Sequence, residues 1–97
     1  MAKLLVRLRL NSGDTSSLQR ALDRDPKWAE APSRGMRFKE VYSNLTNQSE
    51  ATIISGWDSP EEADNFRQEL PRKLAGDDVD AEVVGDADIV VAAIRDQ

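Results

Sequence analysis

Arg7 and Arg9 stand two residues apart in the alternating segment Lys3-Leu4-Leu5-Val6-Arg7-Leu8-Arg9-Leu10. On one strand face, two guanidinium groups could grip an anion bidentately. The plainer reading is cross-strand pairing with an acid such as Glu40, or with the acids of a second copy. Tyr42 and Trp57 form a second candidate pair. A buried phenol beside an indole could orient an aromatic ligand and give or accept a proton, or both could simply fill the core. Asp58 follows Trp57 directly and is a candidate carboxylate, although Asp58, Glu61 and Glu62 also read as capping and dipole compensation at a helix start. Phe66 lies on that helix. The ligand-pocket candidates are therefore Arg9, Tyr42, Trp57, Asp58 and Phe66, and no residue is assigned as catalytic. Trp28, between prolines, reads as a lid or a packing plug.

Much chemistry is excluded by what the chain lacks. It has no histidine and no cysteine. Ser-His and Cys-His nucleophile pairs, His- or Cys-ligated zinc and His-held haem are therefore ruled out. Asp78, Asp80 and Glu82 alternate as the first ligands of a calcium loop would. Val83 then stands where such a loop needs glycine, and Ile89 where it needs a bidentate glutamate. These acids read as a charge-protected strand edge. No metal and no cofactor are expected.

The 97 residues make one domain, 1–97, with 39% hydrophobic and 32% charged residues. Residues 1–49 hold nine Lys/Arg against five Asp/Glu, whereas residues 50–97 hold four against thirteen. The net charge of −5 and the absence of a concentrated basic face argue against nucleic acid as a partner. No apolar run approaches the ~20 residues of a membrane span. The N-terminus, broken by Arg7 and Arg9, does not read as a signal peptide. Zero cysteines favour a cytoplasmic setting.

The elements that must position these residues follow from periodicity. Lys3–Leu10 reads as a half-buried strand, with Leu4, Val6, Leu8 and Leu10 inward. Ser12 or Asp14 caps a helix carrying Leu18, Ala21 and Leu22, and Asp25-Pro26 starts one or two further turns through Trp28 to Ala31. Residues 32–35 form a loop. Residues 36–45 and 51–57 read as two strands joined by a polar hairpin, with Phe38, Glu40 and Tyr42 on one face of the first. Ser59-Pro60-Glu61-Glu62 is a capping box opening a helix with Ala63, Phe66 and Leu70 inward. Pro71 ends it, and residues 74–76 finish the turn. A fourth strand carries Val79, Ala81 and Val83. Gly85-Asp86 breaks it, and Ile89–Ile94 reads as a further strand.

This order predicts an α+β fold, a ferredoxin-like βαββαβ arrangement with a four-stranded antiparallel sheet and an extra C-terminal strand. Helices cover one sheet face. The other face mixes charge with Leu5 and aromatic side chains, and a second copy would cover it. From Gly35 to about Glu69 the chain resembles the antibiotic-biosynthesis-monooxygenase type of dimeric α+β barrel. The features that carry the resemblance are Gly35 before a strand with central Tyr42, a short polar hairpin, a strand ending in Trp57, and a capped helix bearing Glu61-Glu62-Ala63 and Phe66. The resemblance implies homodimers whose sheets close a barrel, with ligand pockets between sheet and helices, and Trp57 falls at the family's tryptophan. Its haem-degrading members need a histidine on the following helix, which this chain lacks.

Two roles follow. In one, Tyr42, Trp57, Phe66 and Arg9 line a cavity for a small aromatic or phenolic molecule, acted on by a cofactor-free oxygenase-like or cyclase-like enzyme. In the other, the same residues fill a solid core in a non-catalytic dimerisation or regulatory ligand-binding module. An interior cavity of roughly 300 Å³ or more with a few inward polar groups separates the first from the second.

Overall fold

Strict two-residue alternation makes the first strand the axis of the structure. The computed structural model describes residues 1–76 and 78–91; Asp77 of the acidic segment and residues 92–94 of the expected last strand lie outside them. Strand β1 (Ala2–Ser12) buries Ala2, Leu4, Val6, Leu8 and Leu10 on one face, and turns Lys3, Leu5, Arg7 and Arg9 to the other. Helix α1 (Thr15–Arg24) follows, capped by Asp14, whose Oδ1 accepts the Ser17 amide at 2.8 Å. Asp25 both ends α1 and starts α2 (Pro26–Glu30). Its own N–H returns to the carbonyls of Ala21 and Leu22, and its carboxylate accepts the amides of Lys27 and Trp28. Pro26 loses nothing at a first helical position, where its missing N–H would have no partner. A 3₁₀ turn, Ala31–Arg34, ends at Gly35 with φ 109°, a left-handed conformation that glycine adopts without strain.

Strands β2 (Met36–Ser43) and β3 (Glu50–Trp57) form a hairpin, and α3 (Pro60–Gln68) follows. Ser59 caps α3 through Oγ, which accepts the Glu62 amide at 3.3 Å and donates to the Glu62 carboxylate at 3.0 Å. Three short strands complete the sheet: β4 (Lys73–Ala75), β5 (Asp80–Val83) and β6 (Asp88–Val91). The pairings are antiparallel, in the order β2-β3-β1-β5-β4. The far edge of β1 is shared: β6 pairs residues 2–5 and β5 pairs residues 8–12. Thus β5 and β6 act as one ferredoxin-like fourth strand, interrupted where Gly85 takes φ 73°.

The expected fold is borne out, with two corrections. Leu74 lies in β4 rather than finishing a turn, because it pairs with Ala81 and buries its side chain. The hairpin also holds a bulge between Met36 and Phe38, so Met36 shares the inner face with Trp57 while Phe38 crosses to the outer face over Gly56. A Cβ on Gly56 would collide with the edge of the Phe38 ring.

The inner sheet face packs on the helices through Leu18, Leu22, Trp28, Ala63 and Phe66, all buried. Phe66 is the hub: its ring centroid lies 4.8 Å from that of Trp57 and 4.9 Å, edge-on, from that of Trp28. Each of the larger side chains, Leu18, Leu22 and Phe66, stabilises the fold by about 1.5–3 kcal/mol through burial, and aromatic pairing adds to this. Phe66→Ala is expected to cost about 3–5 kcal/mol, read as a lowered urea midpoint with unchanged slope. A loss under 1 kcal/mol would show that the three rings do not act as the centre of the core.

Candidate functional site

The sheet separates the five candidate residues into two groups and a corner. Trp57 and Phe66 are on the inner face and in contact. Trp57 is 0% exposed, and its indole Nε1–H donates to Ser55 Oγ at 2.9 Å. Ser55 is itself buried, and its hydroxyl lies 3.4 Å from the Leu4 carbonyl. The indole's polar edge is thus satisfied within the sheet instead of being offered to a ligand. Trp28 plugs the other side of Phe66.

Tyr42 and Arg9 are on the outer face. Tyr42 is 48% exposed, so the phenol is not buried beside the indole; the pleat sends residues of β2 at 38, 40 and 42 away from the helices. Glu40 pushes the Tyr42 phenol pKa up, chiefly by hydrogen bonding. Arg9 pairs with Glu82, opposite it on β5, rather than with Glu40. The register explains the choice, since β3 stands between β1 and β2. Asp58 sits at the corner after β3, where it accepts from Arg37 Nε at 2.5 Å. Of the three alternating acids, Asp78 pairs with Arg20 and Glu82 with Arg9, while Asp80 lies 4.0 Å from Lys73 Nζ.

Two clefts lie at the rim of the helix layer. The larger, about 420 Å³, opens between the C-terminal end of α3 and the β5–β6 turn. Leu70, Val83 and Ala87 give it apolar walls, and Arg67, Gln68 and Arg72 give it polar ones. Arg67 binds Asp64 and the Ala87 carbonyl, while Arg72 donates to the Gly85 carbonyl at 2.8 Å. The second cleft, about 300 Å³, lies where the α1–α2 junction faces β4. None of the five candidates lines either cleft. The sequence signal for the larger one is Leu70-Pro71 between two arginines, which marks the end of a helix and nothing more specific.

Glu69 is the most strongly shifted acid among the described residues, and its role was not visible in the sequence. It joins α3 to the α2 region, accepting from Lys27 Nζ at 2.9 Å and from both terminal nitrogens of Arg34 at 3.2 and 2.6 Å. Arg34 in turn lies over the Phe66 ring, 5.7 Å from its centroid. Hydrogen bonds from Arg34 and then Lys27 lower the Glu69 pKa to about 2.

No family model and no curated protein matches the chain. Solved structures do. A protein of Deinococcus radiodurans, named a "putative antibiotic biosynthesis monooxygenase", superposes with a TM-score of 0.58 at 14% identity, over 100% of this chain and 97% of its own. A dimeric ferredoxin-like protein from an uncultured marine organism superposes with a TM-score of 0.57 at 11% identity, over 98% of each chain. The likeness is one of fold: over its described residues the chain has the ferredoxin-like α+β architecture of both.

Because the Glu69 pKa is lowered on folding, its contribution to stability is present above pH 4.5 and is lost as pH falls from 4.5 towards about 2. Melting curves of the parent chain and Glu69→Gln should therefore differ near neutral pH and converge on acidification. A difference that stays constant down to pH 2 would show that the Lys27–Glu69–Arg34 tie is not the cause.

Proposed function

We propose that the chain acts as a homodimeric α+β-barrel module, a unit of self-association rather than a catalyst. What carries this reading is the filling of the space between sheet and helices by Trp28, Trp57 and Phe66, which turns the expected interior pocket into solid core. The outer sheet face supports the same reading. There Phe38, Ile54 and Leu5 are only half-buried and Val90 is 46% exposed, forming an apolar strip across β2, β3, β1 and β6. Charged side chains, Lys3, Arg7, Arg9, Glu40 and Glu82, surround it. An apolar strip with a polar rim has the anatomy of a protein interface. A second copy laid sheet to sheet would bury it, and the second neighbour described above is named a dimer.

The 420 Å³ cleft supports a second reading, in which the barrel also takes a small aromatic or phenolic ligand as a cofactor-free oxygenase-like or cyclase-like enzyme. The name of the Deinococcus neighbour points the same way.

Sedimentation equilibrium at micromolar concentration is expected to give a dimer, and Ile54→Glu a folded monomer, because a carboxylate would be buried in the centre of the interface. A monomeric parent chain overturns the proposal. Thermal melts with phenols and quinones address the second reading: a ligand-induced rise abolished by Arg67→Ala would establish it, and no rise with any of them would remove it.

A further inference from the structure

Among the described residues of the outer face, Lys3 and Arg7 on β1 are cations without an ion pair and Glu40 on β2 is an acid without one, on strands that a dimer axis would exchange. Arg9 is neutralised by Glu82, and Lys73 stands near Asp80. Arg7, on the central strand beside the apolar strip, makes no ion pair among the described residues. Glu40 also makes none, and its one polar tie is to the Tyr42 phenol. Within one subunit the two are kept apart. They lie on strands β1 and β2, separated by the whole of β3, at about 4.8 Å per strand step, and in adjacent cross-strand rows. The first row is Tyr42–Thr52–Arg7 and the second is Glu40–Ile54–Leu5.

We infer that Arg7 of each copy pairs with Glu40 of the other and so sets the register of the sheet-to-sheet dimer. This rests on the self-association proposed above and names what determines its geometry. A two-fold axis running along β3, over the Ile54 row, lays β1 of one copy across β2 of the other. It places each Arg7 near the partner's Tyr42–Glu40 side and repeats the contact twice, as an isologous interface requires. An axis centred on β1 would instead oppose Arg7 to its own symmetry mate, a like-charge contact beneath a covering sheet. Burying Arg7 without an acid would be strongly unfavourable, so the face can close only in a register that supplies one. The remaining acids fit less well. Glu82 already holds Arg9, Glu50 accepts from Asn47 Nδ2 at 2.9 Å, and Asp88 on β6 lies on the far side of β1 from that axis.

The test is a charge swap followed by sedimentation equilibrium at low salt, with circular dichroism to confirm folding. Arg7→Glu and Glu40→Arg should each raise the dimer dissociation constant at least about tenfold. Mixing the two single variants should give a heterodimer tighter than either homodimer, and the double variant should regain dimerisation. Arg7→Gln and Glu40→Gln serve where a reversal does not fold, and their losses should not add. If the parent chain dimerises but the single variants match it, or the swap fails to rescue, the pairing is wrong and the dimer stands. If the parent chain is monomeric, the dimer itself is wrong.

Discussion

The contact of Phe66 with two tryptophans holds the molecule together. It joins β3, α2 and α3 at one point. Aromatic rings carry large buried areas on few rotatable bonds, so three of them can fix the spacing of a layer that short helices alone would leave loose. The indole N–H is satisfied by Ser55, and Ser55 lies against the carbonyl of Leu4 on the central strand. The polar cost of burying Trp57 is thereby met inside the sheet. Phe66 is tied outward as well, since Arg34 covers its ring and Glu69 fixes Arg34. Core and surface are linked in a single chain of contacts.

That arrangement bears on the roles open to this fold. Where sheet and helices are held apart, a barrel subunit can admit a ligand between them. Here Trp28, Trp57 and Phe66 pack into that space, and the two clefts described above lie at the rim. Among the described residues, the polar side chains buried with the core are Ser17 and Ser55. The unsatisfied part of the molecule is instead the outer sheet face, where apolar area and unpaired charge occur together.

The sequence was most informative where one residue type does one local job. The alternation along β1, the carboxylate cap Asp25, the Ser59-Pro60 helix start and the break at Gly85 all depend on neighbours in the chain, and all were readable from it; the first cap was narrowed to Ser12 or Asp14, and the structure places it at Asp14. β4 was not, because one apolar residue in three has no period, and Leu74 is inward only by pairing with Ala81. The bulge at Met36–Phe38 was equally silent, since it depends on register against β3. For the candidate site, the contact of Trp57 with Phe66 follows from a strand end leading into a capped helix. Tyr42 and Arg9 were misjoined to them because a strand's two faces carry no label saying which one the helices will cover. The partner of Arg9 is fixed by strand order, which a single sequence does not contain.

Gly56 gives the two sides of the sheet unequal freedom. Its missing side chain lets the Phe38 ring lie flat on the strand, one residue before Trp57 buries itself on the reverse side. A methyl group there would lift the ring outward and leave the tryptophan in place. The surface relief of the outer face can therefore drift at a single backbone position while the hydrophobic interior stays as it is.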